Sequence, residues 1–517
     1  MKLIRFGYAL LTSALLAGCV DLTQPNPNER STDTFWRTAS DLEEGIIATY
    51  AGLTLDGTYG RHLNLLYDGR SDLAHGLGAN GGLNGVLHFQ LLNYNGNGFS
   101  SGAWDDHYHT IFRANQVIAR APGIDMDAAV RDRTIAEAKF IRALMYYNLL
   151  ILYRNVPLVL EPLEASARPE QAPPEEVWAQ IEADLQEART VLPPVTEYRQ
   201  GGANLGRATR GAATALQGMV HLQQQEWEEA AAILKEVIDS GEYSLLPEYG
   251  ALFDDQDENH VESVFEVQFV DAATAGTSGA RGFDVPRLRG PQGPSFIETQ
   301  PTPWYFCQFF PDPEACLAAP QDAGTNAGAP DPRLDYTIFW NKPGGMIVFG
   351  REFLDRYPNP GPTTIYWKKW SQHWLDTHDF DSPVNFTVIR FAGVLLMYAE
   401  AAAEMGDLAA AKTAIDQVRE RVGLDPVPLG TQEEMRAIVE KEQLLELGWE
   451  MARWPYLVRH DLLPRDEAEK QVLVARDRDF NGFDYNTFGA PHPKSELLPI
   501  PLVEVNYNPS IQQNPGY

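Results

Sequence analysis

The stretch Ala136-Glu137-Ala138-Lys139-Phe140-Ile141-Arg142-Ala143-Leu144-Met145-Tyr146-Tyr147-Asn148-Leu149-Leu150 is apolar almost all round when wound at helical period. A helix of that kind has no face to give to water, so it predicts a central helix surrounded by others. Val156-Pro157 ends it, because proline cannot continue the hydrogen-bond ladder. Helical spacing recurs along the chain: from Thr34 to Leu53, with Ser40 placed to cap ahead of Asp41 and Glu43, from Ala103 to Ala121, from Pro174 to Leu192, and from Gln432 to about Arg453. The expected class is mainly α.

Two segments echo one another. In Gly206 to Tyr243, Gly218 is followed twelve residues later by Ala230, then by Leu234 and Val237. In Arg390 to Gly423, Ala399 is followed twelve later by Ala411, then by Ile415 and Val418. Small residues at matching places let paired helices approach closely. The spacing resembles tetratricopeptide repeats, helix pairs that bury their faces by stacking on neighbours; generic helical hairpins would also produce it.

Between these helical parts lie two irregular insertions, about 67–101 and 271–385. The first carries glycines at 69, 76, 78, 81, 82, 85, 96 and 98, and the second is crowded with Gly, Pro and Ala. Just before the second, Val264 to Val270 alternates like a strand. Aromatic residues nevertheless persist through it, among them Phe296, Trp304, Tyr305, Phe306, Phe309, Phe310 and Trp340. So many rings in a poorly periodic stretch either pack it down or bind something. The net charge of −30 argues against a nucleic-acid partner, which requires a basic stripe, and none is visible in the sequence.

The chain opens with Met1-Lys2-Leu3-Ile4-Arg5 and an apolar run from Phe6 to Leu16, a leader too short to span a bilayer. It runs into Leu16-Ala17-Gly18-Cys19, which resembles the lipobox of bacterial lipoproteins. Residues 1–18 then read as a signal peptide, Cys19 as the lipidated first mature residue, 19–33 as a tether and 34–517 as one domain. The protein would be anchored to a membrane and not threaded through it. Cys307 and Cys316 remain, an even number in an exported chain, and are either a disulfide or two free thiols.

Separated motifs carry a further resemblance. Phe35-Trp36 with Asp41 and Tyr50, the spacing Trp104, Tyr108, Ile111, Ala114-Asn115, and Glu137-Ala138-Lys139-Phe140-Ile141-Arg142-Ala143 with Tyr146-Tyr147 come first. Gly206-Arg207-Ala208-Thr209, Asp331-Pro332-Arg333, Leu395-Leu396-Met397-Tyr398-Ala399-Glu400-Ala401, Arg419-Glu420-Arg421-Val422-Gly423, Leu498-Pro499-Ile500-Pro501 and Gln513-Asn514-Pro515-Gly516-Tyr517 follow in order. Together they resemble the SusD/RagB family of nutrient-binding surface lipoproteins across essentially the whole mature chain. Two places depart from it: Arg390-Phe391-Ala392-Gly393, where the family usually has Arg-Tyr-Ala-Asp, and Arg453-Trp454-Pro455-Tyr456-Leu457, where it favours Arg-Trp-Phe-Asp-Leu. The resemblance implies tetratricopeptide-like helix pairs in a superhelical scaffold, with a loop-rich portion packed on it. It also implies an extracellular, lipid-anchored place on the outer membrane, an oligosaccharide ligand and a SusC-like TonB-dependent transporter as partner. A tetratricopeptide-type scaffold lipoprotein of outer-membrane assembly is the alternative, and a glycosidase a weaker one.

A sugar site needs flat rings against C–H faces and a few polar groups for hydroxyls. Trp304 and Tyr305 are the first candidates for that platform and Trp340 the next, each weighed against a place in the core. Asp72, His75, Asn80 and Asn84, set among glycines, are candidate polar partners, weighed against ordinary turn chemistry. Asp477, Asp479 and Asn481 with Gly482 match the opening of a calcium loop, but the twelfth position is Phe488 where a bidentate Glu is expected, so a turn competes with a weak site. His107 and His109, two apart on a predicted helix, diverge too far to share a metal. No phosphate-binding loop or His-Glu-x-x-His motif occurs, and no carboxylate pair stands out for glycoside hydrolysis. Binding without catalysis is the expectation.

Overall fold

The computed structural model describes residues 35–76, 98–271, 281–375, 382–463 and 496–517, apart from the single positions 165, 200, 203, 292 and 294. Its first long helix, α1 (Ala39–Ala51), is capped by Thr38, whose hydroxyl accepts from Asp41 N while Asp41 accepts from Thr38 N at 2.8 Å. The cap thus lies two residues before the expected Ser40. The reciprocal box with Asp41 satisfies two backbone donors that Ser40 alone would not.

The scaffold runs through α2 (Gly98–Arg120), α3 (Ala128–Tyr153), α4 (Pro174–Val191), α5 (Arg210–Gln223) and α6 (Trp227–Asp239). It resumes after the long insertion with α7 (Phe391–Met405), α8 (Leu408–Arg421), α9 (Gln432–Leu447) and α10 (Arg453–Arg459). Each helix from α2 to α6 packs on the next, α6 packs on α7, and α7 packs on α8 and α9. The result is a continuous superhelical stack of antiparallel helix pairs. The all-round apolar segment is its middle: every residue of α3 from Phe140 to Tyr153 is buried.

The two echoing segments are the hairpins α5/α6 and α7/α8. Ala230, Leu234, Ala399, Ala411, Ile415 and Val418 are fully buried at their seams. Gly218 is required there, since a Cβ would sit 2.5 Å from Leu234 Cδ2.

The second insertion is pinned to this stack at both ends by one antiparallel pair, β2 (Ser263–Val267) with β4 (Phe386–Arg390), in which Val267 faces Phe386. All of β2 is buried, so its alternation does not mark a wet face. Glu266 is inside, accepting from Asn259 N at 3.0 Å and Asn385 Nδ2 at 3.1 Å. A shorter pair, β1 (Ala74–Gly76) with β3 (Thr299–Pro301), joins the two insertions to each other.

Buried ion pairs rivet the second insertion to α9. Arg333 reaches Glu442 at 2.6 Å and Glu446 at 3.0 Å, while Asp331 takes its other side at 2.7 and 2.9 Å, which is the reason for the Asp-Pro-Arg motif. Arg390 meets Glu446 and Glu450, both at 2.6 Å, and Glu262 at 2.9 Å, and Arg421 joins Glu262 and Glu446. Lys369 meets Glu450 at 2.6 Å. Such a network adds little against an apolar core but is expensive to break, about 3–5 kcal/mol per missing partner. The helical pattern expected to about Arg453 stops at Leu447. A Cβ on Gly448 would lie 1.9 Å from the Tyr305 hydroxyl, and Trp449 and Met451 then adopt φ of 70° and 65°.

Candidate ligand-binding site

Pairing of β1 with β3 puts His75 opposite Gln300 and so joins the two stretches that supplied the candidate rings and polar groups. The link continues past the strands. Thr302 N donates to Leu73 O at 2.8 Å, Thr302 Oγ1 donates to Asp72 O at 2.9 Å, and the same hydroxyl caps a short helix, Pro303–Cys307, by accepting from Tyr305 N. Trp304 stands in the first turn of that helix, half-buried with its ring packed against the core. It therefore sits beside the chain that leads into residues 77–97.

Its neighbours in the candidate platform are corrected by burial. Tyr305 is wholly buried, its ring at 5.3 Å from Phe309 and 5.8 Å from Trp367. Trp340 is 2% exposed, lies 5.7 Å from both Phe306 and Phe310, and donates its indole N–H to Asp335 at 3.2 Å. Neither can offer a face to a ligand. Asp72 is corrected as well: its carboxylate takes a bidentate pair from Arg453 at 2.8 and 2.9 Å, nearly sealed from water, and so holds the loop to α10. Asn80, Asn84, Cys19, Asp477, Asp479 and Asn481 lie outside the described residues, and of His75 only the main chain is described. Cys307 and Cys316 form a disulfide across a sequence separation of 9, tying the end of the Trp304 helix to the next one.

Phe296, passed over in choosing the platform, is 55% exposed with the Arg287 guanidinium 5.1 Å from its ring centre. The rings followed a readable signal. Tyr305 with Phe309 and Phe306 with Phe310 are four residues apart, the spacing of an interior helical face, whereas Phe296 and Trp304 belong to no such pair. Beneath Phe296, Arg61 bonds Glu298 at 2.6 Å and buried Arg289 donates to Arg61 O at 2.9 Å. Burial takes the Arg289 guanidinium down to about 10. Burial, then the charges of Arg61 and Arg289, take the His62 imidazole down to about 3, so it is neutral here. An exposed ring held beside a guanidinium, as Phe296 is by Arg287, suits stacking recognition.

The family model described as "SusD family" matches residues 354–517, and that described as "Starch-binding associating with outer membrane" matches residues 87–222. SusD-like protein P25 of Formosa agariphila is 26% identical, with 96% of this chain and 96% of that protein covered. SusD-like protein P2 of the same organism is 26% identical over 99% of each. The chain belongs to the SusD/RagB family. Among solved structures, a laminarin-binding SusD-like protein is 29% identical with a TM-score of 0.72, covering 93% of this chain and 100% of its own. A SusD superfamily protein from Bacteroides vulgatus reaches a TM-score of 0.79 at 23% identity, covering 94% and 100%. The mainly helical SusD-like fold expected from the motifs is the fold observed. No helix among the described residues is long and apolar enough to cross a membrane.

Proposed function

We propose that this protein binds an oligosaccharide at the outer surface of the outer membrane, without cleaving it, and passes it to a SusC-like TonB-dependent transporter. Residues 34–517 act as one domain, tethered through lipidated Cys19. Family membership supports the binding role, as does a relative of similar fold described as laminarin-binding. The observation that carries the choice of site is the β1/β3 pair with its Thr302 bonds. It holds Trp304 close to the segment 72–76, and in this reading Asn80 and Asn84 are the amides for sugar hydroxyls.

The test is a glycan array probed with the mature protein, followed by calorimetry on whatever glycan it retains. Trp304→Ala is expected to weaken that glycan by about tenfold or more, roughly 1.4 kcal/mol. An array that retains nothing would overturn the binding role. Unchanged affinity in Trp304→Ala would overturn the site and leave the role standing.

A further inference from the structure

A second concavity, of about 330 Å³, opens between the segment 248–254, Tyr336 and the segment 368–374. It shares no residue with the Trp304 site. Two large rings border it in an exposed state, Trp374 at 44% and Tyr336 at 39%, and both are held in place. Tyr336 packs against Gly250, where a Cβ would come within 2.4 Å of its ring, and meets Tyr249 edge-on at 5.8 Å. Trp374 packs edge-on against His373 at 5.3 Å, and His373 packs edge-on against Phe339 at 6.0 Å. Lone exposed rings are ordinary on a protein surface, but two pre-oriented rings flanking one concavity are not.

The polar lining indicates what those rings receive. Nδ1 of His373 lies 3.1 Å from Ser371 O, a carbonyl that can only accept, so Nδ1 carries the ring proton and Nε2 is left as an acceptor. Burial, then the charge of Lys368, takes this imidazole down to about 4, so it is neutral at ordinary pH. Lys368 supplies a donor, its Nζ bonded to Asp335 O at 2.7 Å and lying 5.7 Å from the Tyr336 ring centre. Glu248 and Asp254 add acceptors, so the lining holds two carboxylates against one ammonium. That balance opposes a uronate or sulfate. The volume is at the low end for ligand pockets, of the order of one or two sugar rings.

We propose that this cleft is a separate sugar-binding site, taking one or two residues of an uncharged glycan between Tyr336 and Trp374. It rests on the carbohydrate-binding reading above, though on different residues. The experiment is hydroxyl-radical footprinting of the mature protein with laminarihexaose, cellohexaose or maltohexaose, and with an oligogalacturonate as the charged probe. At least one neutral probe is expected to protect Trp374 and Tyr336. In Trp374→Ala, an exposed position, protection of Tyr336 is expected to need about tenfold more of that probe, while protection at Trp304 keeps its parental midpoint. Protection at Trp304 and Phe296 alone overturns the cleft and leaves the binding role intact. Protection at the cleft alone supports it and removes the Trp304 site; protection at neither overturns both. Protection of the cleft by oligogalacturonate overturns the uncharged class.

Discussion

Trp304 and Trp340 show how far a single residue type can be read. Both are tryptophans in the same poorly periodic insertion, yet one keeps part of its ring in water and the other is sealed among Phe306, Phe310 and Asp335. Composition cannot separate them, because aromatic rings serve cores and binding faces alike. The i,i+4 rings Tyr305/Phe309 and Phe306/Phe310 do mark an interior, and extending that mark to Trp340 requires the fold. The energetic consequence is measurable by urea unfolding. Trp340→Ala should cost about 3–5 kcal/mol, the range for emptying a buried aromatic site, and Trp304→Ala less than half of that. Equal costs would mean that Trp304 is as much a core residue as Trp340.

At the scale of elements, the helices were legible and their ends were not. Periodicity located α3 and both echoing hairpins because those faces are buried along most of their length. Boundaries depend instead on single contacts: Thr38 in place of Ser40 at the start of α1, and the Tyr305 hydroxyl pressed on Gly448 beyond α9. The strand at 263–267 was visible, but its burial on both faces follows from α5 and β4, which its own residues do not specify. Close approach in the hairpins carries its own test. Gly218→Val should destabilise by about 1–3 kcal/mol, since the added carbons collide with Leu234 and overpacking outweighs the roughly 0.5 kcal/mol gained in helix propensity. A melting temperature equal to the parent's would show that α5 and α6 are not in tight contact there.

Across the whole molecule, buried charge is the feature that motifs announced without explaining. Glu400, inside the family-like Leu-Leu-Met-Tyr-Ala-Glu-Ala run, is bonded by Arg459 at 2.5 and 2.6 Å and by His460 at 2.8 Å. Burial pushes its carboxyl up, but Arg459 and the bonds from Arg459 and His460 outweigh burial and hold it at about 2. A carboxyl depressed below its unfolded value of about 4.3 contributes stability that is complete above that pH and is lost as pH falls through 2. Glu400→Gln should therefore cost about 3–5 kcal/mol at pH 7, where Arg459 loses its counter-charge, and progressively less toward pH 2. Urea titrations at a series of pH values check this, and a cost independent of pH would rule the ion pair out as its source. Arg459 and His460 lie 59 and 60 residues from Glu400 in sequence, and this separation is why no local pattern could pair them.

The β2/β4 pair has a consequence for how such a protein changes over generations. It clasps the entry and exit of the second insertion side by side, where α6 already meets α7. A segment whose two ends are held together can lengthen at small entropic cost, about 0.6 kcal/mol for each doubling of a flexible loop. Phe296, Trp304, Tyr336 and Trp374 all lie on the chain inside that clasp. The segment that carries these rings can thus change in length between its clasped ends, provided Arg333 and Lys369 keep their carboxylate partners Glu442, Glu446 and Glu450 on the stack.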